Sequence, residues 1–187
     1  MGRSGTLLLH YSNHSNRSIL NAILASFKGT YEHSLDDKGR VAFPSKLRKS
    51  LHPEANERFT LLRGLEPCLY LYPQDEWERV EEKLNRVNSF SREGRTVKRN
   101  FLRFAEDIVL DKQHRLPLPP GLMDWASLKS RAVFIGSGER IEIWAPDQLK
   151  AFDDELSQND FDALFERVMG GNEGQGFSSG SQNESTP

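Results

Sequence analysis

Leu35-Asp36-Asp37-Lys38-Gly39-Arg40-Val41-Ala42-Phe43-Pro44 decides the reading of this chain, because Leu110-Asp111-Lys112-Gln113-His114-Arg115-Leu116-Pro117-Leu118-Pro119 repeats it 75 residues later. Leu, Asp, Arg and Pro recur at matching places. Four identities in ten residues are weak alone, but a second block follows in the same order at an offset of 72: Gly64 with Gly136, Leu69-Tyr70-Leu71-Tyr72 with Ile141-Glu142-Ile143-Trp144, and Asp75 with Asp147. A period of this kind predicts a tandem of two similar supersecondary units.

Each half reads as a strand, a polar turn at Asp-x-x-x-Arg, a strand ending at Pro, a short helix, a β-hairpin and a closing helix. In the first half Pro44 stops the strand, since proline has no N–H to give the sheet, and Ser45 to Leu51 follows as the short helix. Phe59 to Leu62 and Leu69 to Tyr72 form one hairpin; Ala132 to Ile135 and Ile141 to Trp144 form its counterpart. On the strand at 69–72, alternation sends Tyr70 and Tyr72 to one face and Leu69 and Leu71 to the other. Between the halves, Trp77, Val80, Leu84 and Val87, then Val97, Phe101 and Phe104, fall at helical spacings, which predicts a helical hairpin. The fold class is therefore α+β, mostly β with helices. The expected divisions are an N-terminal extension over 1–27, a first half over 30–76, a helical linker over 77–104, a second half over 105–148, a C-terminal helix over 149–169 and a tail over 170–187. The extension and the tail are expected to be disordered, the tail because it is too poor in apolar residues to offset the entropy of ordering.

The chain has 187 residues, is 36% hydrophobic, and has a mean hydropathy of -0.63, which suits a soluble protein. Its early apolar runs, Leu7-Leu8-Leu9 and Ile19 to Ala25, are interrupted by Asn13-His14-Ser15-Asn16-Arg17 and are too short for a membrane span. Leu24-Ala25-Ser26 imitates the end of a weak signal peptide, a reading disfavoured by the short run and its Asn. With Cys68 as the single cysteine, neither an internal disulfide nor a multi-thiolate zinc site can form, and a reducing compartment is expected. The net charge of -2 hides an asymmetry: residues 153–187 carry -7 and the preceding 152 residues +5. A mildly basic body with an acidic tail permits a polyanionic partner, although a solvated surface is the commoner meaning.

The most specific local pattern is Asp36-x-Lys38-Gly39-Arg40-x-x-x-Pro44-x-x-x-Arg48. Gly39 admits a positive φ at a tight turn, so Lys38 and Arg40 are expected to stand out side by side at a strand end. An arginine fork fits two phosphate oxygens or the O6 and N7 of guanine, and lysine supplies a point charge for the backbone. From Lys38 to Lys49 the segment holds Lys38, Arg40, Lys46, Arg48 and Lys49 and no acid. A lone Lys-Gly-Arg is usually a solvated turn; its place within a repeat favours a functional one.

Phe27-Lys28-Gly29-Thr30-Tyr31-Glu32-His33-Ser34 leading into that turn, then Cys68-Leu69-Tyr70-Leu71-Tyr72-Pro73-Gln74-Asp75-Glu76-Trp77, resembles the MraZ family over about residues 27–168. The resemblance implies the double swapped-hairpin β-barrel of the AbrB and SpoVT group, with the two halves pairing inside one chain. It also implies a transcriptional repressor of the division and cell-wall gene cluster, its own promoter included, in the cytoplasm at the nucleoid. The implied partners are double-stranded DNA with short direct repeats and further copies of the chain in a homo-oligomeric ring. The DNA-binding residues expected are Lys38, Arg40, Lys46, Arg48 and Arg115, with Asp36, Gly39 and Asp111 forming the turns. The second half departs from the pattern, since Gln113 and His114 replace Lys38 and Gly39. Lys112 can restore the charge, but loss of the glycine puts the turn geometry, and Arg115 with it, in doubt.

Other candidates are weaker. His114 is either a pH-sensitive DNA contact or, more commonly, an exposed turn residue. Arg92, Arg95, Arg99 and Arg103 form a helical stripe with Lys98 alongside, expected to act between helices or subunits, with Glu78, Glu81 and Glu82 as available acids. Trp77, Trp125 and Trp144 read as core or subunit-interface residues rather than as platforms for bases. His10-x-x-x-His14 has helical metal-ligand spacing but no third ligand, Cys68 has no nearby histidine, and Gly136-Ser137-Gly138 lacks the third glycine and helix of a phosphate loop. No metal, cofactor, small-molecule substrate or catalytic residue is therefore expected. The competing reading is an antitoxin-like or scaffold interaction module of the same fold with little DNA specificity, which suits the acidic tail.

Overall fold

The computed structural model describes residues 26–170, so the extension before residue 26, with His10 and His14, and the tail after Gly170 lie outside the described residues. The chain divides after Gln148 into two compact units.

In the first unit, β1 (Phe27–Ser34), β2 (Arg40–Ala42), α1 (Ser45–Lys49), β3 (Arg58–Arg63), β4 (Leu69–Pro73) and α2 (Gln74–Asn85) make one half. After α3 (Arg92–Leu102), the other half runs β5 (Glu106–Val109), β6 (Arg115–Pro117), α4 (Pro120–Trp125), β7 (Arg131–Gly138) and β8 (Arg140–Trp144), entering α5 (Pro146–Asp154). Phe27, at the last place of the expected extension, begins β1 and is buried.

The strands form a six-stranded antiparallel sheet in the order β1-β7-β8-β4-β3-β5 and a separate two-stranded ribbon, β2-β6. The pairing follows the repeat. β1 pairs with β7, and its counterpart β5 pairs with β3; β2 meets β6 and β4 meets β8. Only the hairpins β3-β4 and β7-β8 lie within one half. Each half thus hands its first strand to the other's hairpin, and neither can be removed without stripping the other of a strand.

The core forms where the alternating faces converge. Phe59 and Leu61 of β3, Leu69 and Leu71 of β4, Phe134 of β7, and Ile141 and Ile143 of β8 are fully buried in one cluster. The ribbon closes over it through the paired Val41 and Leu116, and the short helices add Leu47 and Leu122. Tyr70 and Tyr72 point away from this core, as alternation requires, yet are buried on the other face. There Tyr72 packs against Trp77 of α2, ring centroids 5.8 Å apart, and Trp77 stacks on Phe101 of α3 at 6.2 Å. The amphipathic linker is thus anchored by its aromatic residues.

The second unit holds the remainder of α5 and then α6 (Gln158–Gly170), whose residues are all exposed. Among the described residues no helix is long and apolar enough to cross a membrane.

Candidate nucleic-acid interface

The β2-β6 ribbon sets the two Asp-x-x-x-Arg turns side by side. In the first, one oxygen of Asp36 accepts from the N–H of Lys38 at 2.9 Å and of Arg40 at 3.0 Å, and the Asp36 carbonyl accepts from Gly39 N–H. In the second, Asp111 accepts from the N–H of Gln113 at 2.8 Å and of Arg115 at 3.0 Å, and its carbonyl from His114 N–H. The turns are equivalent bond for bond. The doubt raised by the missing glycine is therefore corrected: His114 takes φ 55°, beside φ 71° at Gly39. Histidine is among the few side chains that visit this region with some frequency, and the aspartate holds the backbone in place. Each turn is also tied to the opposite ribbon strand, by Leu118 N–H to Gly39 O and Phe43 N–H to His114 O, both at 2.9 Å.

The arginines do not stand free as expected. Arg40 lies 2.7 Å from Asp36 and 3.6 Å from Asp111; Arg115 lies 2.8 Å from Asp111 and 3.3 Å from Asp36. Four alternating charges close a neutral square across the join between halves, each side chain about a quarter to a third exposed. The hydrogen bond from the Arg40 side chain, followed by that from its backbone, holds Asp36 down to a pKa of about 2. Asp111 is lowered in the same direction by the Arg115 backbone N–H and then its side chain. The square orients both forks, with Nε, Nη1 and Nη2 of each arginine facing a carboxylate oxygen.

Exposed charge lies on the same segments, the acid Asp37 next to Lys38 included. Lys38, Lys46, Lys49 and Lys112 are exposed, with Gln113 beside Lys112. Arg48 is half-buried instead, 3.3 Å from Glu57 and 3.0 Å from a ring nitrogen of His114. It links α1 of one half to the turn of the other. Of the expected residues, Asp36, Arg40, Asp111 and Arg115 come together directly, Gly39 and the exposed Lys38 are in the first turn, Arg48 is tied to Glu57 and to His114 of the second turn, and Lys46 is exposed on α1.

The arginine stripe on α3 makes no ion pair with Glu78, Glu81 or Glu82 among the described residues, and Glu81 accepts instead from Trp77. Trp125 is 41% exposed, with Arg63 against its face at 4.6 Å. Arg63 also lies 3.3 Å over Phe104, a sandwich that sequence reasoning missed and for which no spacing signal exists. Cys68 is wholly buried, and its thiol is pushed well above the usual range by that burial, which removes nucleophilic character. Among the described residues no cluster of three or more His, Cys, Asp or Glu is placed to hold a metal.

The turn repeat has a counterpart in the family comparison. The family model described as "MraZ protein, putative antitoxin-like" matches twice, over residues 26–100 and 101–172. A curated relative, the transcriptional regulator MraZ of Natranaerobius thermophilus, is 36% identical over 143 residues, covering 76% of this chain and 96% of the relative. The division between the two matches falls in α3, between the two strand sets that exchange partners. With two family matches that together span all the described residues and a relative matched over almost its full length, the chain belongs to the MraZ family.

Proposed function

We propose that this chain is a sequence-specific DNA-binding transcriptional regulator, a repressor that grips short direct repeats in double-stranded DNA as a homo-oligomeric ring. The observation that carries this reading is the pair of equivalent turns held edge to edge by β2 and β6, with Lys38 and Lys112 exposed beside two arginine forks that their own aspartates orient. A rigid ribbon that presents forks and lysines in duplicate suits a groove edge and its flanking phosphates. The exchange of β1 and β5 between halves supports the swapped-hairpin barrel of the AbrB and SpoVT group as the scaffold. The name of the Natranaerobius relative supports transcriptional regulation, hence a cytoplasmic, nucleoid-associated protein. The division and cell-wall gene cluster, including the protein's own promoter, is the target that the family membership suggests.

A second reading is favoured by one observation, the acidic and apolar surface of α6. It makes the chain an interaction module of the same fold, in keeping with the antitoxin-like description of the family. A gel shift of the full chain on its own upstream region separates the two. The repressor reading expects a shift that is lost in a folded Lys38→Ala/Lys112→Ala variant. No specific shift by the unmodified chain overturns it in favour of the interaction module, and unchanged binding by the variant overturns the placement of the DNA contact at these turns.

A further inference from the structure

The turns leave the arginine stripe of α3 without a role. Arg92, Arg95, Arg99 and Arg103 follow at intervals of three and four, which at 3.6 residues per turn puts them within an arc of about 80°. The buried Gly94 and the Phe101 that stacks on Trp77 lie on the opposite side, so the stripe points away from what holds the helix. All four arginines are exposed. Arg95 donates to the carbonyls of Ser89 and Phe90, and Arg103 lies over the Phe104 ring, but among the described residues none of the four has a carboxylate partner. The side chains of Arg92 and Arg99 meet no hydrogen-bond acceptor there either.

The charge belongs to the hairpin as a whole. Residues 83–103 hold seven lysines and arginines against Glu93 alone, and Glu93 sits about 120° round α3 from Arg99. From Arg92 to Arg103 the stripe runs about 16 Å, with roughly one cation per turn. Each strand of duplex DNA offers a phosphate about every 3.4 Å along the axis, so the stripe spans several of them. An anionic membrane fits less well. A helix lying in a lipid interface buries an apolar face opposite its cations, whereas that side of α3 is already packed against α2 through Phe101 and Trp77.

The stripe and the turns are on separate surfaces. Tyr72 turns from the core to meet Trp77, whereas the ribbon closes over the core through Val41 and Leu116, so hairpin and ribbon occupy opposite faces of the sheet. We propose that the stripe is a second polyanion-binding surface, which takes phosphates of double-stranded DNA without regard to sequence and holds a segment other than the one at the turns. Arg92 and Arg99 supply the free forks, and the chain bridges two duplex segments. The bridge rests on the DNA reading of the turns; the affinity of the stripe for a duplex does not.

The test uses full-length chains in two arms. The first titrates a repeat-free duplex at several salt concentrations. Lys38→Ala/Lys112→Ala is expected to keep binding it, and Arg92→Gln/Arg99→Gln to lose affinity, with a log–log salt slope lower by about 1.8, or about 0.9 for each of two phosphates. Arg92→Lys/Arg99→Lys keeps the charge and is expected to restore the slope. In the second arm a biotin-tagged duplex with repeats is held on beads and a fluorescent repeat-free duplex is added. The unmodified chain is expected to retain both, and R92Q/R99Q only the first. No binding of the repeat-free duplex by the unmodified chain, or full binding by R92Q/R99Q, overturns the stripe site. So does a changed sedimentation mass of R92Q/R99Q, which gives the stripe to a contact between copies, or stripe-dependent binding to phosphatidylserine vesicles in place of the duplex. Retention of the first duplex alone by the unmodified chain overturns the bridge. Absence of any preference for repeats overturns the proposed function alone, because the first arm still reports on the stripe.

Discussion

Arg115 of the second half donates to Asp36 of the first, 3.3 Å away, while holding its own Asp111 at 2.8 Å. The shared charges couple the two turns, so neither half's turn is complete without the other.

That coupling has a pH signature. A carboxylate whose pKa is lowered on folding contributes stability that is full above its unfolded value, near 4, and lost as pH falls through its folded value. With Asp36 at about 2 and Asp111 lowered in the same direction, the loss is expected between about pH 4 and 2. Urea midpoints measured from pH 6 down to pH 2 should fall more steeply for the unmodified chain than for Asp36→Asn/Asp111→Asn. Parallel curves would refute the coupling.

Arg40 should tolerate no substitution that keeps only its charge. Lysine retains the cation but cannot bond Asp36 through two nitrogens at once, as Arg40 does through Nε and Nη2. Arg40→Lys and Arg40→Ala are both expected to lose about ten- to a hundredfold in operator affinity, the scale of one oriented fork. Fluorescence anisotropy on a repeat-containing duplex measures this, and near-normal affinity for the lysine variant would assign Arg40 a purely electrostatic role.

The tandem organisation was legible in the sequence because Asp36 and Asp111, Arg40 and Arg115, and Pro44 and Pro119 sit in register. The exchange of strands was not legible in the repeat itself and entered only as what the family resemblance implies. β1 beside β3 or beside β7 satisfies the same alternation, and the choice is made by long-range packing around Phe134 and Leu61 that no local pattern reports. The members of the two turns were legible, and the posture of Arg40 was misread. Reading Arg40 as a free arm ignored the aspartate four residues back, whose short side chain caps the turn and reaches the guanidinium. His114 shows the converse, a turn preserved after its glycine is lost because Asp111 supplies the bonds.

The two turns should respond differently at their positive-φ positions. A Cβ on Gly39 would lie 3.1 Å from Met123 Sδ and 3.4 Å from the Leu118 carbonyl, and left-handed backbone adds its own cost. Gly39→Ala is expected to destabilise by about 1–2 kcal/mol. His114→Gly relieves left-handed strain but frees the unfolded chain, so a change within about 1 kcal/mol is expected. Chemical denaturation of the two variants side by side decides it; equal losses would contradict the turn geometry.

The ribbon that joins the turns depends on Leu116, fully buried and paired with Val41. Leu116→Ala removes core atoms at the join and should cost about 2–5 kcal/mol. Because the halves share strands, one cooperative transition is expected to shift as a whole by fluorescence and circular dichroism. Two separate transitions would mean that the halves fold independently.

The last prediction concerns how many copies DNA recognition requires. The arginines of one copy are balanced within the Asp36–Asp111 square, so the charge left at the turns is Lys38 and Lys112 against the exposed Asp37, with Lys46 and Lys49 on α1. A protein neutralising so few phosphates binds weakly and without much preference, with a Kd of roughly 10⁻⁴–10⁻⁶ M at physiological salt. Specificity must then come from repetition. If copies in a ring turn the same ribbon toward one face, repeats spaced about 10 bp apart put successive ribbons on one side of the duplex, and each further ribbon docks at high effective concentration. Affinity should climb steeply from one repeat to two and three. Its salt dependence should grow in step, and Lys38→Ala should lower the slope by about 0.9 for each phosphate left unneutralised. Titrations of duplexes with one, two and three repeats at fixed salt measure this, and equal affinity for all three would leave no role for a cooperative grip.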